Sequence, residues 1–250
     1  MDFYSSLGNK KIKINFNVPI DISIPIIFSN KNVRAWGVEF PIKKPVQIGS
    51  WIGSVKKGAS VNFNNIFFNP HSHVTHTECV GHITKSEKSI NFQQKSFFFY
   101  AKLITVRPEK KGQDFIISKE LISEKINIED PFNTIIIRTY PNHVEKKIKD
   151  YTNQNPPYLT EECALYLNKL GIKNLLIDLP SIDKEKDEGR LTNHKIFFDS
   201  MNGGNQNTIT ELVYIPNEVI DGDYFLNLQF APIENDASPS RPLLFKIDYI

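Results

Sequence analysis

Between Asn69 and Ile83 the chain reads NPHSHVTHTECVGHI, and four of its six histidines fall there: His71, His73, His76 and His82. With Glu78 they bring imidazoles and a carboxylate into one short segment. These are ligand types for Zn, Mn or Fe. Side chains on a strand alternate faces, so residues of equal parity point the same way. His76, Glu78 and His82 share one parity, and His71 and His73 the other. Convergence on one ion therefore requires a bulge or turn between His73 and His76, at Val74–Thr75. Cys79 has the opposite parity to His76 and Glu78, which sets it apart from the site. His143 adjoins the charged run VEKKIKD and reads as a solvated loop residue.

The elements that must carry this cluster are read from periodicity. Lys11–Phe16 and Asp21–Ile27 alternate polar and apolar residues and predict strands. So do Ser60–Phe68 and the aromatic and aliphatic run Phe97–Val106. Ser118 is placed to cap a short helix reaching about Lys125. Thr134–Thr139 and Asn174–Leu179 read as buried strands, and Thr208–Tyr214 and Tyr224–Ala231 as later ones. The clearest helix is Tyr158–Gly171, with Leu159, Cys163, Leu167 and Leu170 on one face, Thr160 as cap and Gly171 at its end. Helix, short turn and apolar strand make an α/β unit.

Composition bounds the function. The 250 residues carry 30 basic and 28 acidic side chains, a net charge of +2. That balance excludes a strongly basic nucleic-acid binder and an acidic tail. Cys79 and Cys163 are too few for a disulfide framework, which points to reduced thiols and a cytoplasmic location. The uncharged stretch Gly58–Thr77 holds four Asn, three His and one Pro, so it is not a membrane span. With no repeat and no linker, residues 1–250 are expected to form one domain.

Two families resemble parts of this pattern. His71-x-His73 followed by Glu78 is similar to the cupin metal motif, but Asn65 and Lys85 stand where that motif has glycines, and a cupin has no such helix. Ser72–His82 resembles the cyclase-family signature H-x-G-T-H-x-D-x-P-x-H more closely. Thr75, His76 and His82 match, Glu78 stands for the Asp, and Ser72, Val74 and Val80 depart. The resemblance continues in order from about Asp21 onward. Ile135–Thr139 resembles a strand ending in Arg-Thr, and Pro157–Gly171 a helix of the Pro-x-L-x-x-E-A-x-x-L type. Ile177–Asp183 resembles the segment Asp-x-x-Ser-x-Asp, and Gly222–Pro242 the closing strands with a Ser-Pro-x-Arg-Pro ending.

The resemblance implies an α/β fold of the swivelling β/β/α type, a mixed sheet packed against helices. It implies a hydrolase of amide-type bonds, such as arylformamides, that uses one or two divalent ions, Zn or Mn. His76, Glu78, His194 and Glu211 are the expected ligands. His71 or His73 would replace the ligand missing at Ser72, His73 being slightly favoured. His82 is the expected general acid/base, with Glu211 also at the catalytic centre. Glu78 is one methylene longer than the usual Asp, which bears on the substrate accepted. Taken singly, His194 would be a helix-surface residue and Glu211 an exposed strand residue. Trp36, Trp51 and the aromatics of Phe63–Phe68 are available for an aryl pocket, although core packing is the plainer reading of each. The expected partner is a small amide or formamide, with neither nucleic acid nor membrane, in a homodimer or homotetramer. The signature's three departures leave open a member that binds metal or a small molecule without turnover.

Overall fold

The computed structural model describes residues 2–127 and 129–250. Among them, eleven strands join in one sheet. They are β1 (Asp2–Leu7), β2 (Lys10–Asn15), β3 (Ile20–Asp21), β4 (His76–Glu78), β5 (Phe98–Val106), β6 (Thr134–Thr139), β7 (Asn174–Ile177), β8 (Thr208–Glu211), β9 (Gly222–Asn227), β10 (Ala237–Pro239) and β11 (Leu243–Tyr249). Five short helices accompany them: α1 (Pro70–His73), α2 (Ile90–Gln93), α3 (Lys119–Ser123), α4 (Glu161–Lys169) and α5 (Thr192–Phe197). The order across the sheet is β1-β2-β11-β9-β5-β6-β7-β8-β4-β10, with β3 pairing on β11. Strands β5 to β8 are parallel. The flanking pairs are antiparallel, including those that hold β4 between β8 and β10.

Parallel strands are covered on both faces and so read as continuous apolar runs. TIIIRT, NLLI and TITE are buried at every position. Ile135, Ile137, Leu175, Ile177 and Ile209 face a helical layer containing Ile122, Cys163, Leu167 and Phe197. Ile136 and Leu176 face the other way, against Ile22, Val213, Ile215 and Leu226. Each such side chain stabilises the fold by about 1.5–3 kcal/mol on burial. The result is the mixed α/β architecture expected, and four parallel strands under helices are not a cupin barrel.

Three expectations shift. Asp21–Ile27 contributes only Asp21 to the sheet; Asp21 accepts hydrogen bonds from the Ser23 amide and hydroxyl, which turns the chain out of register. The helix expected from Tyr158 begins at Glu161, because Leu159 pairs in parallel with Ile117 in a small separate sheet. Thr160 does cap it, accepting from the Cys163 amide at 3.2 Å. Ser60–Phe68 contributes only Asn64–Phe67, paired with Ile42–Pro45 in an arm exposed at every paired residue. Trp51 lies on that arm, 38% exposed, and Trp36 is 39% exposed, so neither packs in the core.

Candidate metal centre

Strand β4 supplies the centre of the site. Pro70 opens α1 with its φ already suited to a first turn. The helix stops after one turn, Val74 is extended, and the strand starts at His76. The change of direction falls where parity required it. Ser72 points into the scaffold: its hydroxyl donates to the Ala35 carbonyl at 2.8 Å and accepts the Ala35 amide at 3.2 Å. Thr75 accepts from the Ile24 amide at 2.7 Å and donates to the Leu212 carbonyl. In the sheet register Glu211 lies opposite His76. Leu212, at φ 54, is an L-residue in the left-handed region and turns the chain sharply after Glu211.

Two other elements complete the cluster. His82 sits on a single turn, Val80–Ile83. Gly81 is required there, since an added Cβ would lie 1.9 Å from the Lys88 carbonyl oxygen. His194 lies on α5, whose first turn is capped by Asp183: that carboxylate accepts the Asn193 and His194 amides at 2.8 and 3.1 Å. It also accepts His194 Nδ1 at 2.6 Å, leaving Nε2 to face the site. His76 is oriented similarly by Nδ1 donating to the Val74 carbonyl at 3.0 Å. Carbonyls and carboxylates behind imidazoles in this way fix the ring and the tautomer of metal ligands.

Glu78 stands at the middle, fully buried. His71 Nδ1 is 3.1 Å from its Oε2, and His194 Nε2 is 3.0 Å from its Oε1. His76 Nε2 and His82 Nε2 lie 4.0 and 3.9 Å from Oε2. Glu211 reaches within 3.5 Å of His76 Nε2 and 3.7 Å of His194 Nε2, while its Oε1 accepts the Ile182 amide at 3.2 Å. Despite these short distances, both Glu78 oxygens and His76 Nε2 lack a hydrogen-bond partner of proper direction. A buried carboxylate so placed costs several kcal/mol. The donor set instead fits a divalent cation. Two groups that share Glu78, one with His71 and His76 and the other with His82 and His194, each bring their ligand atoms within 4.8 Å of one another.

The charge balance makes the same demand. Glu78, Asp183, Glu211 and Asp236 gather around the imidazoles, and among the described residues no Lys or Arg forms an ion pair with any of them. Burial disfavours ionised Glu78, yet the His82 and His194 charges outweigh it and hold the carboxyl well below its usual range. Burial likewise opposes a charged His194, but Glu78, Asp183 and Glu211 raise it well above the ordinary imidazole value. His71 is raised to about 10 by Asp236 and Glu78 against the effect of its own burial. The site therefore calls for positive charge, supplied by protons or by a metal ion.

His71, His76, Glu78, His82, His194 and Glu211 are thus brought together. His73 is not. Its Nδ1 accepts the Asn69 amide at 3.0 Å, and burial, aided by the Arg34 charge, holds it below the ordinary imidazole value. Residues two apart on a helix diverge by about 200°, so α1 presents only one of the two histidines to Glu78. Of this pair it is His71 that lies beside Glu78, whereas the slight preference from sequence was for His73. His194 and Glu211 are buried rather than surface residues. Cys79 instead donates its thiol to the Lys88 carbonyl at 3.4 Å, and burial pushes its pKa up to about 11.

Sequence reasoning gave no role to Asp236 or Asp183. Asp183 had a signal, the D-x-x-S-x-D segment. Asp236 had none: one oxygen lies 2.8 Å from His71 Nε2 and 3.1 Å from His82 Nδ1, across 165 and 154 residues of chain. The side chains of His71, His82 and Asp236 are 18, 29 and 25% exposed, whereas His76 and Glu78 are sealed. The cluster is therefore open to solvent on the His71–His82–Asp236 side.

A model of the cyclase family matches residues 20–184. Over 227 residues, 90% of this chain and 96% of the relative, the chain is 27% identical to a kynurenine formamidase of Bacillus cytotoxicus. A kynurenine formamidase of Bacillus thuringiensis matches to the same extent. Among solved structures, a potential metal-dependent hydrolase with cyclase activity superposes with a TM-score of 0.61 at 19% identity, over 92% of this chain and 98% of that one. An isatin hydrolase bound to the product analogue thioisatinate gives 0.64 at 12% identity, over 92% of each. At such identities the likeness to these structures is one of fold.

Proposed function

Because the chain belongs to the cyclase family, we propose that it is a divalent-metal-dependent hydrolase of amide-type C–N bonds outside peptides, with arylformamides as the substrate class. The observation that carries this reading is the convergence of four imidazoles on a buried Glu78 that has no hydrogen-bond partner. His71, His76, Glu78, His194 and Glu211 would hold one or two ions, and a thiolate-free set of His and carboxylate ligands suits Zn or Mn. A bound divalent ion supplies Lewis acidity, activating water and polarising the substrate carbonyl.

The chain's own residues do the rest. Asp183 and the Val74 carbonyl hold His194 and His76 with Nε2 toward Glu78. Asp236 holds His82 through Nδ1, leaving Nε2 toward the site as general acid/base for the departing amine. The sealed floor around His76 and Glu78 excludes bulk water, while the open side admits the substrate. Glu78, longer than the family's usual Asp, moves the ligand oxygens away from β4 and so bears on which acyl group fits.

We also read residues 1–250 as one catalytic domain acting on a small molecule. Two buried unpaired thiols, Cys79 and Cys163, support a cytoplasmic location. Among the described residues no helix is long and apolar enough to cross a membrane. The exposed arm, with Ile48, Trp51, Phe63, Ile66 and Phe67 uncovered, supports a homodimer or homotetramer. The test is hydrolysis of N-formylkynurenine and simple aryl formamides by protein supplemented with Zn or Mn. Turnover that follows metal content is expected. Bound metal without hydrolysis across an amide and ester panel would favour a non-catalytic binding member, and no bound metal would overturn both readings.

A further inference from the structure

A cavity of about 490 Å³ is lined by residues other than those of the metal centre. It forms at the carboxyl ends of the parallel strands, from Pro108 after β5, Thr139 at the end of β6 and Leu179 after β7. Crevices there are where α/β sheets bind ligands. Its volume is in the range of small-molecule sites.

The floor is polar and already satisfied. Asp178, fully buried, accepts the Thr139 amide at 2.9 Å and its hydroxyl at 3.0 Å. Lys146 Nζ donates to Asp178 Oδ2 at 2.7 Å and to the Thr139 carbonyl and hydroxyl at 2.9 and 2.8 Å. All three ammonium donors are thereby engaged, and Lys146 has no capacity left for a ligand. Thr139 and Asp178 belong to the Arg-Thr and Asp-x-x-Ser-x-Asp segments, but unlike Asp183 they make no contact with the histidines of the metal centre.

The walls have a different character. Tyr151 is buried, Tyr140 is half exposed, and Pro108, Pro141, Pro157 and Leu179 fill the remainder. Lys149 stands over the Tyr151 ring, its Nζ 4.9 Å from the centroid, and Arg107 stands over the Tyr140 ring at 4.4 Å. Among the described residues Lys149 has no acidic partner; its neighbour Asp150 pairs with Arg34. Partial loss of solvent and the nearby Lys146 charge lower the Lys149 pKa. Lys146 is neutralised by Asp178, which leaves Lys149 and Glu145 as the remaining lysine and acid of the lining.

We propose that this cavity is a second ligand site, taking a small aromatic monocarboxylate whose ring packs between Tyr140 and Tyr151 and whose carboxylate pairs with Lys149. The proposal is independent of what the metal centre hydrolyses. It is tested by calorimetric titration of the full chain with benzoate, before and after removal of metal with EDTA. Saturable binding is expected in both forms and in His76→Ala. Lys149→Leu and Tyr140→Ala should each weaken it about tenfold or more, and so should replacing benzoate by benzyl alcohol or acetate. Lys149 and Tyr140 are exposed, so both variants keep the fold. Three results would overturn the proposal: no saturation at about 10 mM benzoate, equal affinity in Lys149→Leu, or binding lost on metal removal or in His76→Ala.

Discussion

Asp236 holds two imidazoles with a single carboxylate oxygen, and this contact decides which nitrogen of each faces the metal centre. His71 is left with Nδ1 toward Glu78, and His82 with Nε2. Removing such a partner behind a ligand typically costs 10–100-fold in metal affinity or activity. Asp236→Ala is therefore expected to lower kcat or metal occupancy by about that factor, as read by kinetics and by metal analysis after dialysis. The same analysis separates the two candidates on α1: His71→Ala should lose metal, whereas His73→Ala should retain it. Metal loss in His73→Ala alone would reverse the assignment. A pH dependence arises at Asp150. Burial raises its pKa, but hydrogen bonding to Arg34 and Thr152 outweighs this and holds it at about 2. A depressed carboxylate stabilises the fold above its unfolded value of about 3.9 and loses that contribution as pH falls toward the folded value. The urea midpoints of wild type and Asp150→Asn should thus converge between about pH 4 and pH 2. Above that window an exposed pair of this kind is worth at most about 1 kcal/mol.

Short elements set these side chains, and each has a chemical reason for ending where it does. α1 is one turn because Val74 goes extended to enter β4. The turn carrying His82 passes so close to Lys88 that Gly81→Ala must move it. That variant is expected to lower turnover while leaving bound metal nearly intact, since His71, His76, His194 and Glu211 stay in place. Loss of metal in step with activity would show that His82 is a ligand instead. α4 lies further away and tests stability alone: Thr160→Ala removes its cap and should cost about 1 kcal/mol in chemical denaturation.

In the whole molecule, the sheet brings β4 from early in the chain between β8 and β10 from late in it. A ligand that binds only the folded state adds stability in proportion to its occupancy. Chelation should therefore lower Tm, and Zn or Mn should restore it. An unchanged Tm would count against a tightly held ion.

Much of this was legible in residue order. TIIIRT forms a strand over all six residues, because a run apolar on both faces has no other place than the centre of a sheet. Thr160 marked the start of α4 for an equally local reason, a hydroxyl able to reach an amide three residues on. The ligand types around His76 and Glu78 were visible in the same way. The choice between His71 and His73 was not, since it depends on how α1 is rotated by contacts of Ser72 with Ala35. The role of Asp236 and the cavity under Tyr140 and Tyr151 were also beyond local reading. The sequence alone determined the ligand chemistry and the strands that carry it, because side-chain type and periodicity are local properties. Only the tertiary structure decided which imidazole faces Glu78, through contacts of Ser72 with Ala35 37 residues away, and which acid stands behind it, through contacts spanning 165 and 154 residues.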